Sequence, residues 1–124
     1  FEQTYRFVKE ISFMKTHVFK YSPRKSTPAA SMPDQVDGIV KEERSRRLLE
    51  LSHEKNLEFN RKFIGRTLPV LFEQESNLVK GFMEGLTPNY IKVLCKGDTT
   101  LEGNIVPVKL KDTEGEAVIG DMQL

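Results

Sequence analysis

Three polar side chains at short spacing, Ser22, Arg24 and Thr27, have the chemistry needed to hold a small ligand. The guanidinium of arginine binds a carboxylate or a phosphate through two parallel hydrogen bonds, and neighbouring hydroxyls add single donors. The Ser-x-Arg-x-x-Thr spacing therefore predicts either an anion-binding loop or a loop that is braced by a salt bridge from Arg24.

A second group of residues is suited to RNA. The alternating positions Tyr90, Lys92, Leu94 and Lys96 predict one exposed strand face. On such a face an aromatic ring stacks on a base and the lysines follow phosphates. The alternative is an ordinary solvent-exposed face that includes a tyrosine.

Two arginines, Arg44 and Arg47, belong to a basic run that is suited to phosphate contacts. The same run also fits a solvated helix face, because acids precede bases by four residues in the pairs Glu42 with Arg46 and Glu43 with Arg47. Both interpretations stay open at this point.

Metal-binding and nucleophilic residues are not predicted in this chain. Cys95 is the only cysteine, which excludes a disulfide framework and a local cysteine cluster for iron and sulfur. His17 and His53 have no partner ligands at metal-binding spacing. We interpret Cys95 as a small strand residue rather than a reactive thiol, and a single cysteine fits the reducing cytoplasm.

The N-terminal third predicts part of an α/β unit. Helical spacing of apolar residues over Glu2–Ile11 indicates an amphipathic helix, and the β-branched and aromatic run at 16–21 indicates a strand. One strand cannot form a sheet, so we expect residues 1–33 to be the end of a larger domain, as the first residue, Phe1, also suggests. Ser22, Arg24 and Thr27 would then follow the carboxyl end of the strand, where α/β folds bind ligands.

A long helix and a small barrel account for the remainder. The helix is expected from Asp34 or Asp37 to Phe63, with Gly65 ending it. Beyond Gly65 apolar residues alternate, which predicts five short strands in an antiparallel barrel of the oligonucleotide-binding type. The strands are expected around 68–72, 78–83, 91–95, 106–110 and 117–119. The fold class is therefore α+β.

Net charge is uneven along the chain. Although the total is +1, residues 1–64 carry 13 Lys and Arg against 9 Asp and Glu, and residues 65–124 carry 6 against 9. The net charge is thus +4 for residues 1–64 and −3 for residues 65–124, so the basic character belongs to the first half. No apolar run approaches the roughly 20 residues of a membrane span.

Two segments resemble the radical-SAM tRNA methylthiotransferase family. The first reads HVFKYSPRKSTPAA at 17–30, and the second reads GLTPNYIKV at 85–93. Between them, MPDQV at 32–36 and the run at 41–48 are similar to the connecting helix of the family. The family usually has glycine where this chain has Ser26, and commonly proline where it has Lys20.

This resemblance implies three regions. Residues 1–33 would complete a radical-SAM barrel, 34–64 would connect, and 65–124 would form a TRAM domain, which is a tRNA-binding β-barrel. It implies that Ser22, Arg24 and Thr27 lie beside the active site. It also implies that Tyr90, Lys92, Lys96, Arg44 and Arg47 contact RNA.

The function implied by the resemblance is methylthiolation of N6-threonylcarbamoyladenosine next to the anticodon. S-adenosylmethionine and two [4Fe-4S] clusters would be held by upstream domains of the same protein. The partner would be the anticodon stem-loop of tRNA, with no membrane. We expect this chain alone to contain no catalytic residue, to bind no cofactor and to be inactive.

Three alternatives stay open. The parent enzyme would act on isopentenyladenosine in tRNA, or on a ribosomal protein as a sister branch of the family does. In the third, the chain is a non-catalytic RNA-binding adaptor.

Overall fold

A computed structural model describes residues 1–123, which form two α-helices and five β-strands. The helices are α1 (Glu2–Ile11) and α2 (Gly38–Arg61), and the strands are β1 (Thr67–Glu75), β2 (Phe82–Leu86), β3 (Lys92–Lys96), β4 (Ile105–Glu114) and β5 (Ala117–Met122). Single 3₁₀ turns cover Pro28–Ser31 and Thr99–Leu101. The chain divides into two compact units, and the second begins at Leu57, within α2.

Helix α1 ends where the sequence predicts, whereas α2 ends at Arg61, two residues before the predicted Phe63. Helix α1 stops at Ser12, whose left-handed backbone (φ 58°) lets its N–H bond to the Val8 carbonyl. Asp37, rather than Asp34, caps α2, since its carboxylate accepts a hydrogen bond from the Ile39 N–H at 2.8 Å. After α2, Gly65 adopts φ 86°, a conformation that glycine allows at little cost.

The segment at 16–21 was predicted to be a strand paired with another part of a larger domain, and it forms no strand within residues 1–123. None of the residues 1–123 pairs with this segment in a β-ladder. Side chains of α2 take the place of a neighbouring strand: the Ser52 hydroxyl accepts from the Thr16 N–H at 2.9 Å, and Asn56 donates to the Met14 carbonyl at 3.3 Å. Both backbone groups of Thr16 are thus bonded to Ser52, because the Ser52 hydroxyl also donates to the Thr16 carbonyl at 3.2 Å.

The five strands close into a barrel in the order β1-β2-β3-β5-β4. Four neighbouring pairs are antiparallel, whereas β3 and β5 run parallel, with Val93 opposite Val118. The prediction of an antiparallel barrel was therefore wrong in this respect. The reason is geometric: directions cannot alternate all the way around a closed ring that has an odd number of strands.

Strand β2 begins later than predicted. The segment expected to be a strand from Leu78 turns instead, because the Ser76 hydroxyl accepts hydrogen bonds from the N–H groups of Leu78 and Val79. Gly81 then adopts φ 78°, and the strand starts at Phe82. The local turn chemistry of serine and glycine thus overrides the apolar run.

The barrel interior is a single apolar core. Alternate residues of the strands point inward, as predicted, and the fully buried set is Val70, Phe72, Met83, Ile91, Val93, Cys95, Val108, Leu110 and Val118. Phe59, Phe63 and Ile64, from the end of α2 and the turn after it, pack against this core. Since burying one such side chain stabilises a fold by about 1.5–3 kcal/mol, the barrel can supply its own stability.

Close approach of two strands requires glycine at position 85. Gly85 lies opposite Phe72 at a bulge in β1, where the strand register shifts. A Cβ atom on Gly85 would lie 2.3 Å from the Leu71 carbonyl oxygen and 2.8 Å from a methyl group of Val70. Both contacts are far below van der Waals distance, and one of them is with backbone that cannot rotate away.

We expect Gly85→Ala to lower the free energy of unfolding of the barrel by about 2 kcal/mol or more, because β1 and β2 must separate. The control is Gly97→Ala, whose Cβ would meet a methyl group of Leu101 at 2.5 Å, a flexible side chain that can move. Urea denaturation followed by near-ultraviolet circular dichroism measures both. Equal destabilisation of the two variants would contradict this account of Gly85.

Candidate nucleic-acid interface

The turn between β2 and β3 holds Tyr90 in an unusual conformation. The buried Thr87 organises this turn: its hydroxyl accepts from the Ile91 N–H at 2.9 Å, and its carbonyl accepts from the Tyr90 N–H at 3.0 Å. Tyr90 adopts φ 64°, which non-glycine residues rarely do, and it is 72% exposed. The turn thus keeps an aromatic ring at the surface at a cost of about 1–3 kcal/mol.

An apolar row crosses the outer face of the barrel next to this turn. The strand register places Ile105 of β4 opposite Leu71 of β1, and Leu71 opposite Leu86 of β2. Leu86 in turn lies opposite Lys92 of β3. One row of paired positions therefore contains three aliphatic side chains and then a lysine.

Together the row and the turn form a surface hollow of about 360 Å³, which we call the Tyr90 hollow. Its lining consists of Pro69, Leu71, Glu73, Leu86, Thr87, Pro88, Tyr90 and Ile105. Ile105 is 69% exposed and Leu71 is 40% exposed. Exposed apolar side chains that are grouped in this way commonly mark an interaction site.

The predicted exposed face of β3 is only partly confirmed. Lys92 and Lys96 are exposed, but Leu94 between them is completely buried, so the prediction was wrong for Leu94. The physical reason is that the middle of β3 is buried on both faces, and only its ends reach solvent. Lys96 lies four residues from Lys92, or roughly 13 Å along a strand, so the two lysines are separate contacts.

The ammonium group of Lys92 has a distant acidic neighbour. Its Nζ lies 3.9 Å from Oε1 of Glu84, which also accepts a hydrogen bond from the Gln74 amide at 2.7 Å. At this distance the two groups form no hydrogen bond, although the Glu84 side chain is mostly buried. Lys92 is thus available to exchange this contact for a phosphate.

The loop with Ser22, Arg24 and Thr27 is a tight turn on the surface of the first unit. The Thr27 hydroxyl donates to the Arg24 carbonyl at 2.8 Å, and Ser26 adopts φ 65°. This left-handed position is where the family usually has glycine. No acidic residue within 1–123 pairs with the Arg24 guanidinium, so a bracing salt bridge from Arg24 is not formed in this part of the chain.

Arg47 has partners within the first unit. Its guanidinium forms an ion pair with Glu2 of α1 and lies over the rings of Phe1 and Tyr5, at 5.0 and 4.7 Å from their centres. The hydrogen bond from Arg47 is the main cause that lowers the pKa of Glu2. Arg44 also lies over the Phe1 ring, at 5.2 Å, but it forms no ion pair within residues 1–123. Arg44 is therefore more available than Arg47 to contact a phosphate.

The helix ion pairs differ from those predicted. Arg46 pairs with Glu43 and Glu50 rather than with Glu42, and Glu42 instead pairs with Lys20 at 2.5 Å. The predicted pairing of Glu43 with Arg47 is replaced because Arg47 turns toward α1. Hydrogen bonding to Arg46 lowers the pKa of the Glu43 carboxyl. Glu42 and Arg47 are thus engaged by distant segments, whereas Arg46 keeps pairs within the helix at three- and four-residue spacing.

The residues that the sequence analysis missed are the aliphatic ones, Leu71, Leu86 and Ile105. A signal was present: Leu71 and Ile105 are apolar at positions that alternate with the inward-facing core residues, so each must point outward. Their grouping depends on the pairing of β4 with β1. A single sequence does not specify that pairing.

Redox or metal chemistry has no support in the described residues. No group of three or more His, Cys, Asp or Glu side chains there is close enough to hold a metal ion. Burial is the main cause that raises the pKa of the Cys95 thiol to about 11. A thiol of this kind is a poor nucleophile and a poor metal ligand at neutral pH. None of the helices within residues 1–123 is long and apolar enough to cross a membrane.

Comparison with known proteins identifies relatives of nearly the whole chain. It is 41% identical over 116 residues to the threonylcarbamoyladenosine tRNA methylthiotransferase MtaB of Bacillus subtilis, which covers 89% of this chain and 25% of that protein. It is 36% identical over 122 residues to the tRNA-2-methylthio-N(6)-dimethylallyladenosine synthase of Wolbachia pipientis, covering 97% of this chain and 28% of the relative. The synthase of Pelotomaculum thermopropionicum is 41% identical over 108 residues.

These relatives confirm the resemblance to the tRNA methylthiotransferase family, of which the chain matches the C-terminal part. The closed five-stranded barrel fits a TRAM-like domain. No family model matches the chain. The chain spans about a quarter of the length of the curated relatives.

We expect Cys95 to resist alkylation in the folded protein. With a pKa of about 11, only about one thiol in a thousand is ionised near pH 8, and the side chain is buried. Because the folded pKa lies above the ordinary value of 9.0, the thiol contributes stability below pH 9 that is lost as the pH rises toward 11. Iodoacetamide labelling with and without urea measures the reactivity. Rapid labelling of the native protein would contradict this prediction.

Arg47→Ala should loosen α1, because the substitution removes the ion pair with Glu2 and the contacts with two aromatic rings. We expect amide hydrogen exchange within α1 to become several-fold faster. Arg24→Ala is the matched control and should leave this exchange unchanged. Hydrogen-exchange mass spectrometry of peptides covering Glu2–Ile11 makes the measurement. Unchanged exchange in Arg47→Ala would leave Arg47 free for a role in RNA binding.

Proposed function

We propose that this chain is the C-terminal part of a radical-SAM enzyme that transfers a methylthio group to a modified adenosine of tRNA. One observation carries the proposal: identity of 36–41% to three tRNA methylthiotransferases over 87–97% of the chain. The closed barrel and the exposed tyrosine turn agree with an RNA-binding role for the second unit. The partner is the anticodon stem-loop.

In this proposal the loop of the first unit borders the active site. Arg24 supports the assignment, since its guanidinium is exposed and without an acidic partner within residues 1–123. It would hold a carboxylate or phosphate through a two-pronged contact, and the Ser22 and Thr27 hydroxyls would flank it. Thr27 also fixes the turn through its bond to the Arg24 carbonyl.

S-adenosylmethionine and two iron–sulfur clusters would supply the methyl group, the radical chemistry and the electrons. The donors in this chain do not fit a cluster, because Cys95 is its only thiol and is buried with a raised pKa. In this proposal the ligands of the clusters belong to upstream domains of the same protein. The chain described here positions RNA and contributes no catalytic residue of its own.

RNA affinity would be shared between the two halves of the chain. Residues from 65 onward have a charge of −3, from 6 basic and 9 acidic residues, so counterion release adds little there. The barrel would contribute Tyr90, Lys92 and Lys96, and the basic first half would contribute Arg44 with a smaller part from Arg47. Nonelectrostatic contacts would therefore dominate at the barrel.

The favoured substrate is N6-threonylcarbamoyladenosine. The segments at 17–30 and 85–93 support it, as does the relative from Bacillus subtilis, which is named for this nucleoside. Dimethylallyladenosine is the second candidate, because the synthase of Pelotomaculum thermopropionicum has the same 41% identity over 108 residues. The enzyme would be cytoplasmic.

Deletion of the parent gene in its natural host tests the proposal. We expect digested tRNA to lose methylthio-threonylcarbamoyladenosine and to accumulate threonylcarbamoyladenosine that lacks the methylthio group. Nucleoside mass spectrometry measures both. Return of the gene with Arg24→Ala should restore at least tenfold less product than Lys25→Ala, the matched control at an adjacent exposed cation.

Loss of methylthio-dimethylallyladenosine instead would establish the second candidate. If every methylthio nucleoside persists in the deletion strain, the enzyme hypothesis is wrong and the adaptor alternative gains support.

A further inference from the structure

We propose that the Tyr90 hollow binds one unstacked nucleobase of the tRNA, with Lys92 on the adjoining phosphate. The inference rests on the proposed function, because it presumes that the barrel meets RNA, and it specifies which part of the RNA is held and how. A single base held on the outer face of the barrel would fix the position of the RNA loop without any need for a strongly basic surface.

The composition of the hollow favours a base over a phosphate. Three aliphatic side chains, Leu71, Leu86 and Ile105, form a continuous apolar surface across three strands. Tyr90 adds the only aromatic ring among the lining residues. Bases stack on such surfaces with little regard to sequence, because every base has a π-face. A phosphate would lose much of its hydration against these aliphatic side chains.

Two charged residues beside the apolar row give the base an orientation: Lys92 on β3 and Glu73 on β1. Lys92 continues the row beyond Leu86, so a cation lies at one end of the apolar surface. Glu73 belongs to the lining and occupies the bulge of β1, where the register shifts between Phe72 and Gln74. The carboxylate of Glu73 repels phosphate and accepts hydrogen bonds. The sugar and phosphate are therefore expected beside Lys92, with an amino group of the base donating a hydrogen bond to Glu73.

Size also limits the occupant to a small group. A volume of about 360 Å³ lies at the lower end of ligand pockets, which span roughly 300–1,000 Å³. The barrel is closed within residues 1–123, so the strands around the hollow offer no free edge where a peptide could add as a further strand. One planar base fits these limits better than an extended peptide.

The strained backbone at Tyr90 provides a clean way to remove the ring. Asparagine tolerates the left-handed conformation better than most residues, so Tyr90→Asn deletes the aromatic surface without disturbing the turn. Tyr90→Phe keeps the ring. Ile105→Thr removes apolar surface while keeping a branched strand residue, and Leu78→Thr is its matched control at a leucine outside the hollow that is 67% exposed.

The test measures binding of an anticodon stem-loop oligonucleotide to the whole natural protein. The oligonucleotide carries 2-aminopurine at one loop position at a time, and fluorescence reports stacking of that base. We expect one position to respond with the natural protein and Tyr90→Phe, and no response with Tyr90→Asn. Affinity should fall about 5- to 100-fold in Tyr90→Asn, less in Ile105→Thr, and not at all in Leu78→Thr.

Salt dependence separates base contacts from phosphate contacts. Loss of a stacked base should leave the slope of log affinity against log salt unchanged, whereas Lys92→Gln should reduce that slope by about 0.7. A flatter slope in Tyr90→Asn would overturn the proposal, since the tyrosine would then act through the backbone of the RNA.

Two further outcomes distinguish this inference from the proposed function. If the natural protein binds the stem-loop and the variants of the hollow bind it equally well, the hollow does not hold a base, and the tRNA function stands. If those variants instead lose affinity for a ribosomal protein peptide, the hollow is a protein-docking surface and the proposal is wrong. If the natural protein does not bind the stem-loop, both proposals fail.

Discussion

Closure of a ring of five strands is the constraint on which the rest of the barrel depends. An odd ring requires one parallel pair, and the chain places it between β3 and β5. Closure also brings strands close together, as at Gly120, where a Cβ atom would lie 2.3 Å from a methyl group of Val108. The geometry of the ring thus explains why glycine is required at positions 85 and 120.

The same closure creates the outer surface that we assign to RNA. Pairing of β4 with β1 brings Ile105 beside Leu71, although these residues are far apart in the sequence. Pairing of β2 with β3 then adds Leu86 and Lys92. An apolar surface with a cation at one end therefore depends on the topology. The turn at Tyr90 is local, and it adds an aromatic ring to a surface that the strands have already built.

Much of the fold could be predicted from the sequence because its signals are local. The helix boundaries follow from Ser12, Asp37 and Gly65, and the alternation of core residues located four of the five strands well. A closed barrel of five strands requires a parallel pair, but the sequence alone does not show that the barrel is closed. The strand expected at 16–21 depends on a partner that residues 1–123 do not supply, and within them the Ser52 side chain of α2 bonds to Thr16 at its start.

The candidate site was less predictable, since long-range contacts decide which charged groups are available. Spacing alone assigned Arg44 and Arg47 the same role, but α1 engages Arg47 through Glu2. Alternation along the strand pointed to Tyr90 and Lys92, whereas the aliphatic residues beside them became visible only through strand register. Leu94 is the opposite case. Alternation predicted that it is exposed to solvent, but it is fully buried.

The position of β5 has a consequence for synthesis of the protein. It is the last strand in the chain, yet it lies between β3 and β4 in the ring. On the ribosome the first four strands emerge with two unpaired edges facing an open gap, and such edges attract other chains. The barrel can close only after residues 117–122 have left the exit tunnel, so its formation is delayed until then. Until that point the unpaired edges of β3 and β4 leave the nascent chain exposed to aggregation.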